Sequence, residues 1–134
     1  MASANVELLR RIFERWGQGD FSSAEWADPE IEFTSADGAE IRTSRGRAEM
    51  AQAWGSFLSA WRGLRAEAEE YRELDDSTVL VLVRNSGTAQ GSGMDLETLG
   101  AQGANLFTIR EGKVVRLVLY WDRRRAMADL GLEP

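Results

Sequence analysis

The sequence predicts an α+β domain in which a curved antiparallel sheet wraps around helices, forming a cone with a pocket. Three observations predict it. Apolar residues recur at helical spacing in two stretches of the first half. They alternate at strand spacing through most of the second half. A short helical pattern closes the chain. Runs of strands following runs of helices indicate α+β rather than a parallel α/β fold. The chain has 134 residues, the length of a single domain spanning 1–134.

The elements come in this order. Val6, Leu9, Ile12, Phe13 and Trp16 share one helical face, with Glu7, Arg10, Arg11, Glu14 and Arg15 opposite. Gly17 and Gly19 end this helix. Asp20 is placed to cap a short second helix running to Trp26. Asp28-Pro29 signals a turn, and Ile31 and Phe33 alternate with Glu32 and Thr34 as a strand. The chain turns at Ala36-Asp37-Gly38-Ala39, and 40–43 return as a second strand. Ser44 then caps a helix in which Met50, Ala53, Trp54, Phe57, Leu58 and Trp61 share a face, with Gly63 stopping it.

Strands occupy residues 64–74, 78–90, 95–110 and 114–121. Gly87, Gly91, Gly93, Gly100 and Gly103 mark bulges or bends. Glu111-Gly112 makes a tight hairpin turn. Arg123 to Leu130 form a closing helix, with Gly131 at its end. A bent sheet curling over helices leaves a hollow, and such hollows are natural small-molecule sites.

Composition narrows the chemistry. There is no cysteine and no histidine. Disulfides and thiol nucleophiles are excluded, and the commonest general base and metal ligand is missing. No metal and no cofactor is expected, so proton transfer falls to carboxylates, tyrosine, arginine or lysine. The net charge of −6 argues against nucleic acid as a partner. The start, Met1-Ala2-Ser3-Ala4-Asn5, carries no apolar signal core, and no run reaches transmembrane length. A cytoplasmic protein without membrane contact is the expectation. The strands over 78–90 and 113–121 place Val or Leu on both faces, so a homodimer that covers the outer face is expected.

The hairpin Asn105-Leu106-Phe107-Thr108-Ile109-Arg110-Glu111-Gly112-Lys113-Val114-Val115-Arg116 and the ending Tyr120-Trp121-Asp122-Arg123 resemble a SnoaL-like protein of the nuclear transport factor 2 superfamily. Gly19-Asp20 and Asp28-Pro29-Glu30-Ile31 fit the same pattern. The superfamily holds cyclases, isomerases, epoxide hydrolases and non-catalytic members, so the resemblance implies a fold more than a reaction. The ketosteroid isomerase positions carry Ile12, Thr34 and Asn105, which have lost that chemistry. The Arg-x-Asp of limonene-type epoxide hydrolases becomes Gly103-Ala104-Asn105. The acid/base aspartate of the polyketide cyclases, nine residues after the hairpin lysine, falls on Asp122. The resemblance thus implies Asp122 as a catalytic acid/base, with Asn105 orienting a carbonyl or hydroxyl. Trp16, Trp54, Phe57, Phe107 and Trp121 are the candidate walls for a small apolar ligand.

Each residue also has a structural reading. Asp122 precedes Arg123-Arg124-Arg125 and sits where a helix N-cap belongs. Alternation puts it on the opposite face from Trp121. The aromatic residues at helical spacing can be simple core. Tyr120 packs on the sheet with its hydroxyl bonded elsewhere. The same chain is therefore read either as a cofactor-free acid/base enzyme or as a ligand-binding or dimerisation module.

Overall fold

The computed structural model describes residues 3–36, 42–59, 61–89 and 102–132. The elements are α1 (Ala4–Trp16), β1 (Ala27–Ser35), β2 (Arg42–Arg45), α2 (Arg47–Leu58), β3 (Trp61–Glu73), β4 (Thr78–Ala89), β5 (Gln102–Arg110), β6 (Lys113–Tyr120) and α3 (Arg123–Leu130). The expected turn at 37–39 and the strand portions at 40–41 and 95–101 lie outside the described residues. No helix among the described residues is long and apolar enough to cross a membrane.

The strands form one curved sheet in the order β2-β1-β6-β5-β4-β3. Four of its five pairings are antiparallel, as the sequence predicts. The fifth is parallel: β1 runs alongside β6, with Phe33 opposite Leu117. The sheet is therefore mixed, because α2 and the whole β3–β5 meander separate the two strands in sequence and leave room for a crossover.

Alternation sorts the strand residues onto two faces. Ile31, Phe33, Val79, Val81, Val83, Phe107 and Leu117 face inward and pack against Leu9, Ile12, Phe13 and Trp16 of α1 and Met50 and Trp54 of α2. Leu80, Leu82, Ala104, Val118 and Tyr120 face outward, where Ala126 and Met127 of α3 cover them. The closing helix thus lies on the outer face, away from the cone. This apolar strip of the outer face is covered from within the chain. Leu74 is the one large hydrophobic side chain found exposed among the described residues.

Local chemistry explains the ends of these elements. The Ser3 hydroxyl accepts from Val6 N and caps α1. Gly131, with φ 67°, ends α3 in the left-handed conformation that glycine adopts at least cost. Arg123 anchors α3 to the sheet. Its guanidinium donates to Gly103 O at 3.2 Å and Val83 O at 3.0 Å, and pairs with Glu69.

Three local expectations are corrected. No helix forms over 20–26. The Asp20 carboxylate instead accepts from Ser22 N at 3.0 Å and from the Ser22 hydroxyl at 2.6 Å, which closes a turn. Ser44 is buried in β2 and is not a cap; the first turn of α2 is tied down by Glu49, which accepts from Arg45 N at 3.1 Å. Trp61 fits the helical spacing of α2 yet opens β3, opposite Ala89. Strand pairing outweighs a spacing preference that the helix ends before it can use.

Candidate functional site at the wide end of the cone

The inner face has two ends of different character. At one end the hollow is filled. Trp16 lies 4.9 Å from Phe13, 5.2 Å from Trp54 and 5.7 Å from Trp26, ring centre to ring centre. Phe107 lies 6.0 Å from Phe13, and Phe33 lies 6.0 Å from Trp54. Most of these contacts are edge-to-face, the arrangement aromatic quadrupoles prefer. Trp16, Trp54 and Phe107 are 4%, 6% and 0% exposed. These three predicted walls are therefore the centre of the core.

At the other end the inner face carries small and polar groups. Asn105 shares the inward parity of Phe107 and Ile109, and sits opposite Val81 and Leu119. It is 3% exposed. Asn85 shares the inward parity of Val81 and Val83, sits opposite Ala66, and is 8% exposed. Between them lies Gly103, where a Cβ would come within 2.6 Å of Tyr120 O and 3.1 Å of Asn85 Nδ2. Only glycine lets the strands close here and the Asn85 amide lie over the backbone.

Trp121 has left the strand ladder but keeps the inward side, and its ring lies 6.5 Å from that of Trp61. Trp61 in turn lines a cavity of about 460 Å³ with Phe21, Leu58, Leu64, Gly19, Asp20, Ser22 and Gly63. That volume suits a small organic molecule. Phe21 joins this cavity to the filled end through Trp16 at 5.7 Å and Trp54 at 6.2 Å. Leu64 joins it to the amide end. A Cβ on Gly87, two residues from Asn85 on the same face, would meet the Leu64 Cα at 3.2 Å. The hydrogen bonds from Ser22 hold the Asp20 carboxyl below its usual value, so it is ionised at neutral pH.

Asp122 lies elsewhere. It is the N-cap of α3, with φ −107° and ψ 111°, and its carboxylate accepts from Arg124 N at 3.0 Å. Its side chain is 58% exposed. Asn105 and Asp122 are thus not brought together: one is buried on the inner face, the other caps a helix on the outer side. Tyr120 also faces outward, and its hydroxyl donates to Asp129 Oδ2 at 3.1 Å. Phe57 belongs to α2, but its side chain is outside the described residues. Among the described residues no group of three or more histidine, cysteine, aspartate or glutamate side chains is placed to hold a metal ion.

Sequence reasoning missed Phe21, Leu64 and Asn85. Asn85 was legible: it is the polar residue that continues the inward parity of Val79, Val81 and Val83. Phe21 and Leu64 carried no such signal, because only the meeting of distant segments makes them walls.

A curved, unclosed six-stranded sheet packed over helices is the architecture of the nuclear transport factor 2-like fold. The SnoaL-like domain model matches residues 9–117, and the chain belongs to that family. The architecture is shared with solved structures at low identity. An NTF2-like protein of unknown function from Burkholderia pseudomallei K96243 superposes with TM-score 0.75 at 18% identity, over 95% of this chain and 97% of that one. A protein assigned as a SnoaL-like polyketide cyclase from Jannaschia sp. CCS1 gives 0.72 at 17%, over 98% and 94%. A ketosteroid isomerase-like fold from Catenulispora acidiphila DSM 44928, solved with trimethylamine, gives 0.69 at 12%, over 95% and 94%. No curated protein matches the chain in sequence.

Proposed function

We propose that this chain is a non-catalytic binding protein for a small, mainly apolar molecule held at the wide end of the cone. One observation carries the reading: the cavity of about 460 Å³ walled by Phe21, Leu58, Trp61 and Leu64. Its volume is that of a small-molecule site, its walls are apolar at Phe21, Leu58, Trp61 and Leu64 and polar at Asp20 and Ser22, and burial of the apolar part of a guest there gains the usual hydrophobic free energy.

A cyclase of the kind named for some structural neighbours needs a carboxylate facing the substrate. Asp122, the residue at the matching position, is 58% exposed and spends its acceptor on the backbone of α3. The isomerase and hydrolase positions hold Ile12, Thr34, Gly103 and Asn105, none of which titrates in the range those reactions use. The balance favours binding over turnover.

The test is titration with Nile red, a neutral apolar dye whose emission rises on desolvation. Saturable one-to-one binding is expected. Trp61→Ala weakens it by about tenfold or more, the equivalent of about 1.4 kcal/mol, and Asp122→Asn leaves it unchanged. Linear, non-saturating partition of the dye, indifferent to Trp61→Ala, refutes the proposal.

A further inference from the structure

We infer that the guest of this cavity is a small organic monocation, an alkylated ammonium on a short apolar body, held between the Asp20 carboxylate and the rings of Phe21 and Trp61. The inference rests on the binding reading above and names the class of guest.

The walls supply one charge. Among the described residues that line the cavity, Asp20 is the single ionisable side chain, beside four apolar residues, a serine and two glycines. Both hydrogen bonds from Ser22 end on Asp20 Oδ1, at 3.0 and 2.6 Å. They fix the carboxylate and keep it ionised at neutral pH. Oδ2 accepts no hydrogen bond from the described residues. Two arginines stand nearby, outside the lining. Arg15 is the smallest of the influences on the Asp20 carboxyl, and the stem of Arg65 passes beside Gly19. Neither forms an ion pair with Asp20 among the described residues.

Such a site discriminates by the sign of the guest. An anion would meet the carboxylate with no cation in the walls to offset it. A neutral guest gains the apolar walls and nothing from Asp20. A cation gains both.

The walls also set the kind of cation. A primary ammonium is compact and strongly hydrated, and it carries three donors. The wall side chains offer it only Asp20 and the Ser22 hydroxyl as acceptors. Alkyl groups on the nitrogen remove those donors and clothe the charge in apolar surface. A ring face attracts such a cation, the indole face most strongly. Trp61 is half-buried and held beside Trp121, with 6.5 Å between ring centres. Phe21 is held by Trp16 at 5.7 Å and by Trp54 at 6.2 Å. Both rings are therefore in place before a guest arrives, which spares the cost of ordering them.

The experiment compares phenyltrimethylammonium with tert-butylbenzene by ligand-observed NMR titration at low ionic strength. The two have the same shape and differ by a charged nitrogen in place of a carbon. The cation is expected to bind the native protein about tenfold more tightly. Asp20→Asn keeps an acceptor for Ser22, weakens the cation by about threefold and leaves the hydrocarbon unchanged. Asp76→Asn removes the same charge from an exposed residue outside the cavity and changes neither. Trp61→Ala weakens both. Salt at about 0.5 M weakens the cation and not the hydrocarbon on the native protein, a readout that stands even if Asp20→Asn fails to fold. Vesicles of phosphatidylcholine are expected to leave the protein in the supernatant.

Equal binding of cation and hydrocarbon overturns the inference while leaving the pocket intact. A preference for the cation that Asp20→Asn and salt leave untouched overturns it as well. Co-sedimentation with the vesicles would make the cation a lipid headgroup and overturn the small-molecule reading. Binding of neither compound to the native protein removes the pocket itself, and the inference falls with it.

Discussion

The two ends of the cone are built from the same strands, yet one is closed and the other open. At the closed end Phe33, Phe107, Trp16, Trp26 and Trp54 fill the hollow ring against ring. At the open end the same inner face carries Asn85, Gly103 and Asn105, and the tryptophans Trp61 and Trp121 stand half-buried at the rim. The difference lies in the size and polarity of the side chain at each inward-facing position. Large aromatic residues at one end bury area and hold the sheet on its helices. Amides and a glycine at the other end give up that area. Buried aromatic area is concentrated at the closed end.

The sharpest way to break this division is at the closed end. Trp54→Ala removes a side chain that touches four other rings and is 6% exposed. A loss of about 3–5 kcal/mol is expected in denaturant unfolding, enough to unfold a marginal domain. A loss below about 1 kcal/mol would mean that the filled end is not the seat of stability.

A smaller effect is expected at the boundary. Gly103→Ala puts a Cβ within 2.6 Å of Tyr120 O and into the space of the Asn85 amide. Backbone must shift, at a cost of about 1–3 kcal/mol. Ligand binding by the folded protein is expected to be unchanged, because Gly103 does not line the cavity. A loss of binding at unaltered stability would extend the site to this strand.

The smallest effect belongs to Asp122. Asp122→Ala is expected to cost about 1 kcal/mol through loss of the helix cap, and Asp122→Asn only a few tenths. Neither is expected to change ligand affinity. A change in affinity with Asp122→Asn at unaltered stability would return the carboxylate to the site.

Much of this fold was legible in the sequence. The inward sets of α1, β4 and β5 come from periodicity alone, since a helix repeats every 3.6 residues and a strand every two. The resemblance to SnoaL-like proteins rested on the hairpin and the Tyr120-Trp121-Asp122-Arg123 ending, and the family match bears it out. Legibility failed where periodicity has two solutions. Trp61 fits a helical stripe and a strand equally well, and its pairing with Ala89 decides the matter. Asp20 is a good cap residue, but the Ser22 amide and hydroxyl claim its carboxylate first. The candidate site was legible by half. The aromatic walls were identified as a group, yet spacing does not say whether rings line a hollow or fill it.

By itself the sequence determined the layers. It set which residues share a face of each helix and strand, and it left histidine and cysteine chemistry out of reach. These depend on neighbours within a turn or a strand, where local geometry leaves little choice. Only the tertiary structure decided the rest. It ran β1 parallel to β6, laid α3 on the outer face, and brought Gly19–Ser22 against Leu58–Leu64 to make a cavity. Each of these joins segments distant in sequence. Their meeting depends on the curvature of the whole sheet, which no single stretch of residues encodes.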